Sequence, residues 1–164
     1  MKTVLLVRHA KSSWENFSVR DEDRPLNDRG KKNAPEMAKR LLKRKVKIDA
    51  ILTSPAKRAR STAEYFADAY EIKKNRYIVV PGLYMAGRQA FLDAIRNAPE
   101  KADHLAVFSH NNGITEFANE LTTTRIDDMP TCGVFAIKSP VENWKDFGPE
   151  NNEFYFFDYP KAIY

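Results

Sequence analysis

Apolar residues occur along the chain in two alternating patterns, which are short continuous runs and helical stripes. The first run, residues 3–7, consists of β-favouring residues, as expected for a strand that is covered on both faces in a parallel sheet. This first strand is predicted to be central. Further runs predict five more strands, at 48–53, 77–80, 104–108, 133–138 and 153–159.

Helical periodicity separates most of these strands. Apolar residues spaced by three and four predict an amphipathic helix over about 28–45, with Asn27 as its N-cap. Ser54 and Pro55 predict the start of a second helix, with Ser54 as the N-cap and Pro55 at the first helical position. Shorter apolar stripes predict two further helices, at 90–97 and 114–121.

The order of these elements indicates the fold class. Four strand and helix pairs are followed by two strands, an order typical of a mostly parallel sheet with helices on both faces. We therefore predict an α/β fold of three layers, α/β/α, in which an antiparallel strand lies at the edge of the sheet. Residues 1–164 are expected to form one domain, because a chain of this length supports one sizeable core.

The overall charge narrows the class of partner. Lys and Arg together number 27 against 22 Asp and Glu, which gives a net charge of +5. This excess favours anionic partners, but it is too small and too scattered to indicate nucleic acid. The charge therefore favours partners that carry phosphate, and we expect no nucleic-acid partner.

The single cysteine and the N-terminal run bear on the compartment. Cys132 cannot form an internal disulfide, so a reducing compartment is the simplest interpretation. The apolar run that ends before Arg8 is too short for the core of a signal peptide and for a membrane span. We expect a soluble, cytoplasmic protein without a membrane partner.

Polar residues follow three of the predicted parallel strands at the positions where such sheets bind ligands. Arg8 and His9 follow the first strand, Arg58 lies a few residues after the second, and His110 follows the fourth. Two histidines and two arginines are therefore expected to converge on one cleft. Arg58 also lies in the first turn of a helix, where the helix dipole disfavours a cation unless an anion is near.

These residue types together favour phosphate chemistry. An arginine presents paired donors to two phosphate oxygens, and a helix N-terminus adds backbone donors. Of two neutral imidazoles in such a pocket, one can attack phosphorus while the other donates a hydrogen bond to the oxygens as charge builds.

Four segments of the sequence carry a resemblance to a known family. They are LLVRHAKSSW at 5–14, DEDRPLNDRG at 21–30, SPAKRARSTA at 54–63 and SHN at 109–111. In this order they resemble the histidine phosphatase superfamily, with its phosphoglycerate mutase-like fold, and within it the small SixA-type phosphohistidine phosphatases. The resemblance runs from Thr3 to about Leu121.

The resemblance implies a phosphoryl-transfer enzyme that uses a histidine nucleophile and neither metal nor organic cofactor. His9 matches the histidine that is transiently phosphorylated, Arg8 and Arg58 match the arginines that clamp phosphate, and His110 matches the second pocket histidine. Three further residues are predicted to bind substrate, namely Arg24 and Asn111 from the matching segments and Tyr84, which is placed to cover the pocket.

One feature of larger members is missing from this sequence. They offer a glutamate after the third strand as a proton donor, whereas residues 81–88, PGLYMAGR, contain no carboxylate. An alkoxide needs a proton to leave, but a phosphohistidine expels an imidazole, which leaves neutral when its other nitrogen carries a proton. We therefore expect a preference for P–N substrates.

The functional prediction is a phosphatase that acts on phosphohistidine in a protein or on a small phosphorylated molecule, with inorganic phosphate as product. The alternative within enzymes is a phosphomonoesterase for sugar or nucleotide phosphates, using an acid from the loop that contains Glu15, Asp21, Glu22 and Asp23. The alternative from another class is a phosphate-binding module without catalysis, against which the intact His9 argues.

Overall fold

The computed structural model describes residues 1–16 and 18–162, which form one six-stranded sheet flanked by helices. The strands lie in the order β3-β2-β4-β1-β5-β6 across the sheet. Their bounds are β1 Lys2–Arg8, β2 Ala50–Thr53, β3 Tyr77–Val79, β4 His104–Ser109, β5 Val134–Ser139 and β6 Glu153–Asp158.

Parallel pairing dominates the half of the sheet that carries the candidate residues. β1 pairs with β4, and β2 pairs with both β4 and β3, all in parallel. β5 is antiparallel to β1 and to the edge strand β6. The prediction of a mostly parallel sheet with β1 inside it is therefore confirmed, and the edge strand β6 pairs antiparallel with β5, which is the strand that runs against the other five.

Four α-helices cover the sheet in the described part of the chain. They are α1 Asp28–Lys43, α2 Lys57–Ala69, α3 Arg88–Arg96 and α4 Gly113–Leu121. Within residues 1–16 and 18–162, no helix combines the length and the apolar character that a bilayer crossing requires.

Alternate side chains of β1 enter two separate cores, which explains why its apolar run is continuous. Val4 and Leu6 pack in the core that contains α3 and α4, while Leu5 and Val7 pack in the core that contains α1 and α2. All four side chains are fully buried, and each such burial contributes roughly 1.5–3 kcal/mol. The strand therefore holds its C-terminal end, where Arg8 and His9 lie, in a fixed place.

The first helix begins where the sequence predicts. The side chain of Asn27 accepts a hydrogen bond from the Gly30 amide at 2.9 Å, which confirms it as the N-cap. Gly30 is needed there because a Cβ at this position would lie 2.2 Å from the Lys11 carbonyl oxygen. The helix ends at Lys43, earlier than predicted, because Lys45 takes a left-handed φ of 63°.

The predicted start of the second helix is wrong by two residues. α2 begins at Lys57 with Ala56 as its N-cap, and neither Ser54 nor Pro55 is helical. The Ser54 hydroxyl instead accepts a hydrogen bond from the Ala56 amide at 3.2 Å and contacts His110 at 2.7 Å. Ser54 thus belongs to the polar site at the end of the sheet and does not cap the helix.

Candidate active site

The two candidate histidines come from neighbouring parallel strands. His9 directly follows β1, and His110 directly follows β4, where Arg8 and Ser109 are paired residues. The His9 amide donates to the Ser109 carbonyl at 3.2 Å. The centroids of the two imidazole rings consequently lie 5.2 Å apart.

His9 is held in one tautomer by its own backbone. Its Nδ1 lies 2.7 Å from the Ala10 carbonyl oxygen, which only accepts, so Nδ1 carries the proton and Nε2 presents a lone pair. Burial lowers the pKa of His9 to about 3, and the charges of Arg58 and Arg8 act in the same direction. The imidazole is therefore neutral at neutral pH, the form that can act as a nucleophile.

His110 is oriented by Ser54. The hydroxyl of Ser54 is fully buried and accepts from the Ala56 amide, and His110 Nε2, at 2.7 Å, is the one acceptor for its own proton in the described protein. His110 then carries its proton on Nδ1, an atom that is buried without a hydrogen-bond partner in the described protein. Burial, followed by the charge of Arg58, lowers the pKa of His110 to about 4.

Arg8 is fixed by one end of its guanidinium group. Nη1 donates to the Met129 carbonyl at 2.7 Å and lies 3.9 Å from a carboxylate oxygen of Asp128. The Nε atom is buried and has no partner in the described protein. Burial lowers the pKa of Arg8 and the charge of Asp128 opposes this shift.

Arg58 is fixed in the same manner from the first turn of α2. It is 6% exposed, and its two terminal nitrogens donate to the backbone carbonyl and the carboxylate of Asp21, at 2.7 and 3.0 Å. Its Nε, like that of Arg8, is buried without a partner. Each arginine therefore keeps an Nε–H donor that the groups anchoring it do not use.

Three unpartnered buried nitrogens thus belong to the residues around His9, namely Arg8 Nε, Arg58 Nε and His110 Nδ1. Buried polar atoms are hydrogen-bonded in the great majority of cases, and leaving one unpaired costs about 1–3 kcal/mol. Three N–H donors beside a neutral imidazole are suited to a tetrahedral oxyanion, because such a group offers several acceptor oxygens. The arrangement can bind phosphate and present phosphorus to His9.

Asp21 brings a carboxylate into this site from the loop before α1. It lies in a short 3-10 turn, Asp21–Asp23, and contacts Arg58, Arg24 and Tyr84. The hydrogen bond from Tyr84, followed by those from the two arginines, lowers the pKa of Asp21 to about 2. Residues 81–88 contain no carboxylate, as the sequence states, but a carboxylate from elsewhere in the chain reaches Tyr84.

The other predicted substrate-binding residues lie around this group. The Tyr84 hydroxyl donates to Asp21 at 2.5 Å, and its ring centroid lies 5.6 Å from that of His110. Arg24 donates to Asp21 and to Ser12, so it supports the 3-10 turn. Asn111 follows His110 and forms hydrogen bonds with Thr115 and Asp128.

A cleft of about 370 Å³ opens beside the phosphate-suited donors. Arg58, His110 and Asp21 form part of its wall. Tyr84, Met85 and Asn111 also line it. In the described residues, no group of three His, Cys, Asp or Glu side chains is placed to hold a metal ion.

The sequence model of the histidine phosphatase superfamily (branch 1) matches residues 4–83 of the chain. The chain therefore resembles the histidine phosphatase superfamily over just under half of its length. The matched range includes Arg8, His9, Arg24 and Arg58. The match supports phosphatase activity, and the geometry above adds His110, which lies after the matched range.

Individual proteins are similar to this phosphatase over nearly the whole chain. An uncharacterised chloroplastic protein from Arabidopsis thaliana is 28% identical over 155 residues, with 88% of this chain and 70% of that protein covered. The crystal structure of a putative phosphohistidine phosphatase SixA from Agrobacterium tumefaciens has a TM-score of 0.81 at 23% identity, covering 97% of this chain and 98% of that one.

A second solved structure is that of the protein histidine phosphatase SixA complexed with tungstate. It has a TM-score of 0.76 at 26% identity and covers 96% of this chain and 97% of that one. The fold prediction is thereby confirmed.

Sequence reasoning missed a hydrogen-bonded ring that supports Arg8. Asn111 bonds through its amide to the Asp128 carboxylate and accepts from the Thr115 hydroxyl. That hydroxyl accepts from the Met129 amide at 3.1 Å, and the Met129 carbonyl accepts from Arg8. No sequence signal marks this ring, because its members are ordinary loop and helix residues until the fold joins them.

Proposed function

We propose that this protein is a phosphatase that removes phosphoryl groups from phosphohistidine in proteins, through a phosphohistidine intermediate on His9. One observation carries the proposal, which is the neutral His9 with a free Nε2 beside three buried N–H groups that have no partner in the described protein. A phosphoryl group supplies the acceptor oxygens for those donors and the electrophile for that lone pair.

In the first step His9 Nε2 attacks phosphorus in line with the bond that breaks. The equatorial oxygens are held by the Nε–H groups of Arg8 and Arg58 and by the Nδ1–H of His110. His110 donates as a neutral imidazole, because Ser54 fills its other nitrogen and burial keeps its pKa low. The leaving group departs with the electron pair of its bond to phosphorus.

In the second step water attacks the phosphoryl group on His9, and the electron pair of the P–N bond returns to Nε2. Inorganic phosphate is the product. The same three donors serve both steps, since each step passes through a trigonal arrangement of the same oxygens. The hydrogen bond from His9 Nδ1 to the Ala10 carbonyl stabilises the ring as positive charge develops on it.

Two further observations support a P–N substrate. Asp21 is ionised at neutral pH, so it holds no proton to give to an alkoxide. Solved structures with the same fold are described as phosphohistidine phosphatases, and one of them holds tungstate, a tetrahedral oxyanion. The finer proposal of a protein substrate rests on these likenesses together with the chemistry of the leaving group.

The test is to incubate the protein with a radiolabelled, histidine-phosphorylated protein and to follow phosphate release and label transfer. Wild type is expected to release phosphate and to acquire an acid-labile, alkali-stable label. His9→Ala should acquire none, whereas His104→Ala, at the other end of β4, should behave as wild type. Faster turnover of a simple alkyl phosphate at equal concentration would refute the P–N preference.

A further inference from the structure

The cleft beside the phosphate donors contains a carboxylate, that of Asp21, which takes no part in the two steps proposed above. Asp21 lies in the cleft wall with Arg58 and His110. About half of its side-chain surface is exposed, although it bonds to three side chains. A carboxylate at this place repels a second anion and attracts a positively charged or N–H-bearing group.

Asp21 is held as a fixed anion. Its Oδ2 accepts from Arg58 at 3.0 Å and from Tyr84, while its Oδ1 accepts from Arg24 Nε at 3.1 Å. The titratable and charged side chains that face Asp21 are those of Arg24, Arg58, Tyr84 and His110. Glu22 is its neighbour in the chain and adds a negative charge nearby. A carboxylate oxygen accepts about two hydrogen bonds, so Oδ1 can accept one more.

The cleft is on the side where a leaving group must go. In-line displacement places the leaving group opposite the attacking nitrogen. Arg58 and His110, which hold the phosphoryl oxygens, belong to the cleft wall, while His9 is 7% exposed and is absent from that wall as the structure describes it. A group bonded to phosphorus on the far side from His9 therefore enters the cleft that contains Asp21.

We propose that Asp21 is a specificity-determining residue, which accepts a hydrogen bond from the N–H of the leaving nitrogen heterocycle and so selects phosphoramidates over phosphate esters. The inference rests on the proposed function and names the group that its site recognises. The imidazolium form of a phosphohistidine carries this N–H on the nitrogen that is not bonded to phosphorus. The carboxylate favours that form over the unprotonated ring.

The reaction balances without a proton from the enzyme. The Nε2 lone pair of His9 forms the new N–P bond, and the electron pair of the old P–N bond passes to the leaving ring. Because that ring already carries its proton on the other nitrogen, it leaves as neutral imidazole. An alkyl ester has no such N–H and departs as an alkoxide next to a fixed anion, which is unfavourable.

Tyr84 completes the subsite. Its hydroxyl donates to Asp21 and its ring stands edge-on to that of His110 at a centroid separation of 5.6 Å. With Met85, which is 88% exposed, it provides an apolar side to the same cleft. A flat aromatic ring with one N–H donor fits these surroundings better than a sugar with many hydroxyls does.

The experiment compares N-phosphoimidazole with para-nitrophenyl phosphate, whose aryl oxyanion leaves without a proton. Asp21→Asn is expected to lower kcat/KM for phosphoimidazole by about tenfold at pH 8, with a smaller loss for the aryl phosphate. The loss for phosphoimidazole should shrink at pH 6, where bulk solvent protonates more of the ring. Tyr84→Phe should shift the ratio of the two rates in the same direction, to a smaller extent.

Glu22→Gln is the matched control, since it removes the same charge from the same turn while Glu22 pairs with the exposed Arg20. It should leave the ratio unchanged. Equal losses with both substrates in Asp21→Asn and in Tyr84→Phe overturn the specificity role while leaving the phosphatase intact. Failure of wild type to turn over either substrate overturns the proposed function itself.

Discussion

Ser54 Oγ and His110 Nε2 lie 2.7 Å apart, which fixes the proton of His110 on the nitrogen that has no partner in the described protein. The contact joins the residue after β2 to the residue after β4, two strands that pair in parallel. The Ser54 hydroxyl therefore determines which nitrogen of His110 keeps a proton that no group in the described protein accepts.

Removing this hydroxyl should weaken catalysis more than binding. We expect Ser54→Ala to lower kcat for any phosphorylated substrate by about tenfold or more, because His110 becomes free to place its proton on Nε2. Steady-state kinetics with para-nitrophenyl phosphate measure the effect. Ser61→Ala, on α2, is the control and should retain wild-type kcat, and an unchanged kcat in Ser54→Ala contradicts the assigned tautomer.

The low pKa values of His9 and His110 predict a pH dependence of stability. Their pKa values are about 3 and about 4 in the folded protein, against about 6.5 in an unfolded chain. Below pH 6.5 the unfolded chain therefore binds protons that the folded protein does not, and the free energy of unfolding falls. The stability associated with the neutral rings is complete above pH 6.5 and is lost as the pH approaches 4.

Thermal unfolding between pH 7 and pH 5 checks this expectation, since most carboxylates remain ionised in that range. The Tm of wild type should fall more steeply than that of a His9→Asn, His110→Asn double variant. Parallel Tm curves for the two proteins would show that the histidines titrate normally. Imidazole NMR signals that stay at their neutral positions down to pH 5 would confirm the low pKa values directly.

The ring through Thr115 predicts a binding defect far from the phosphoryl group. Thr115→Val removes the hydroxyl that links Asn111 to the Met129 amide, and it should cost about 1 kcal/mol of stability. Because Met129 anchors Arg8, KM should rise several-fold while kcat changes less. Thr115→Ser keeps the hydroxyl and should restore KM, which loss of packing alone does not explain.

Gly30 and Gly82 offer a matched pair for stability. A Cβ on Gly30 would meet the Lys11 carbonyl at 2.2 Å, whereas a Cβ on Gly82 would have no atom within 4 Å. We expect Gly30→Ala to lower the free energy of unfolding by about 1–3 kcal/mol and Gly82→Ala to change it little. Urea denaturation of both variants measures this difference, and equal stabilities would contradict the close approach of α1 to the loop after β1.

Much of the site follows from the sequence because its positions are fixed by strand ends. Arg8, His9 and His110 directly follow buried runs, and parallel strands place their carboxyl ends at one edge. The sequence also names Arg58, since a cation in the first turn of a helix signals an anion nearby. These predictions need no knowledge of the loop conformations.

The remainder depends on loops, for which local patterns carry little information. Ser54 is of a residue type that often caps helices, but its hydroxyl bonds to His110, which follows a different strand. Asp21 is one of four acidic residues in its loop, and only its folded contacts with Arg58 and Tyr84 single it out. In both cases the role of the residue depends on a contact with a residue that is distant in sequence.

Recovery of activity after unfolding requires that β1 pairs with β4, because this pairing brings His9 and His110 together. Arg8 lies opposite Ser109, and His9 and His110 are about a hundred residues apart in the chain. Strand pairings over such separations form slowly, since a long loop must close first. We therefore expect a refolding chain to regain its helices before its pair of histidines, so that the return of phosphatase activity reports completion of the central sheet.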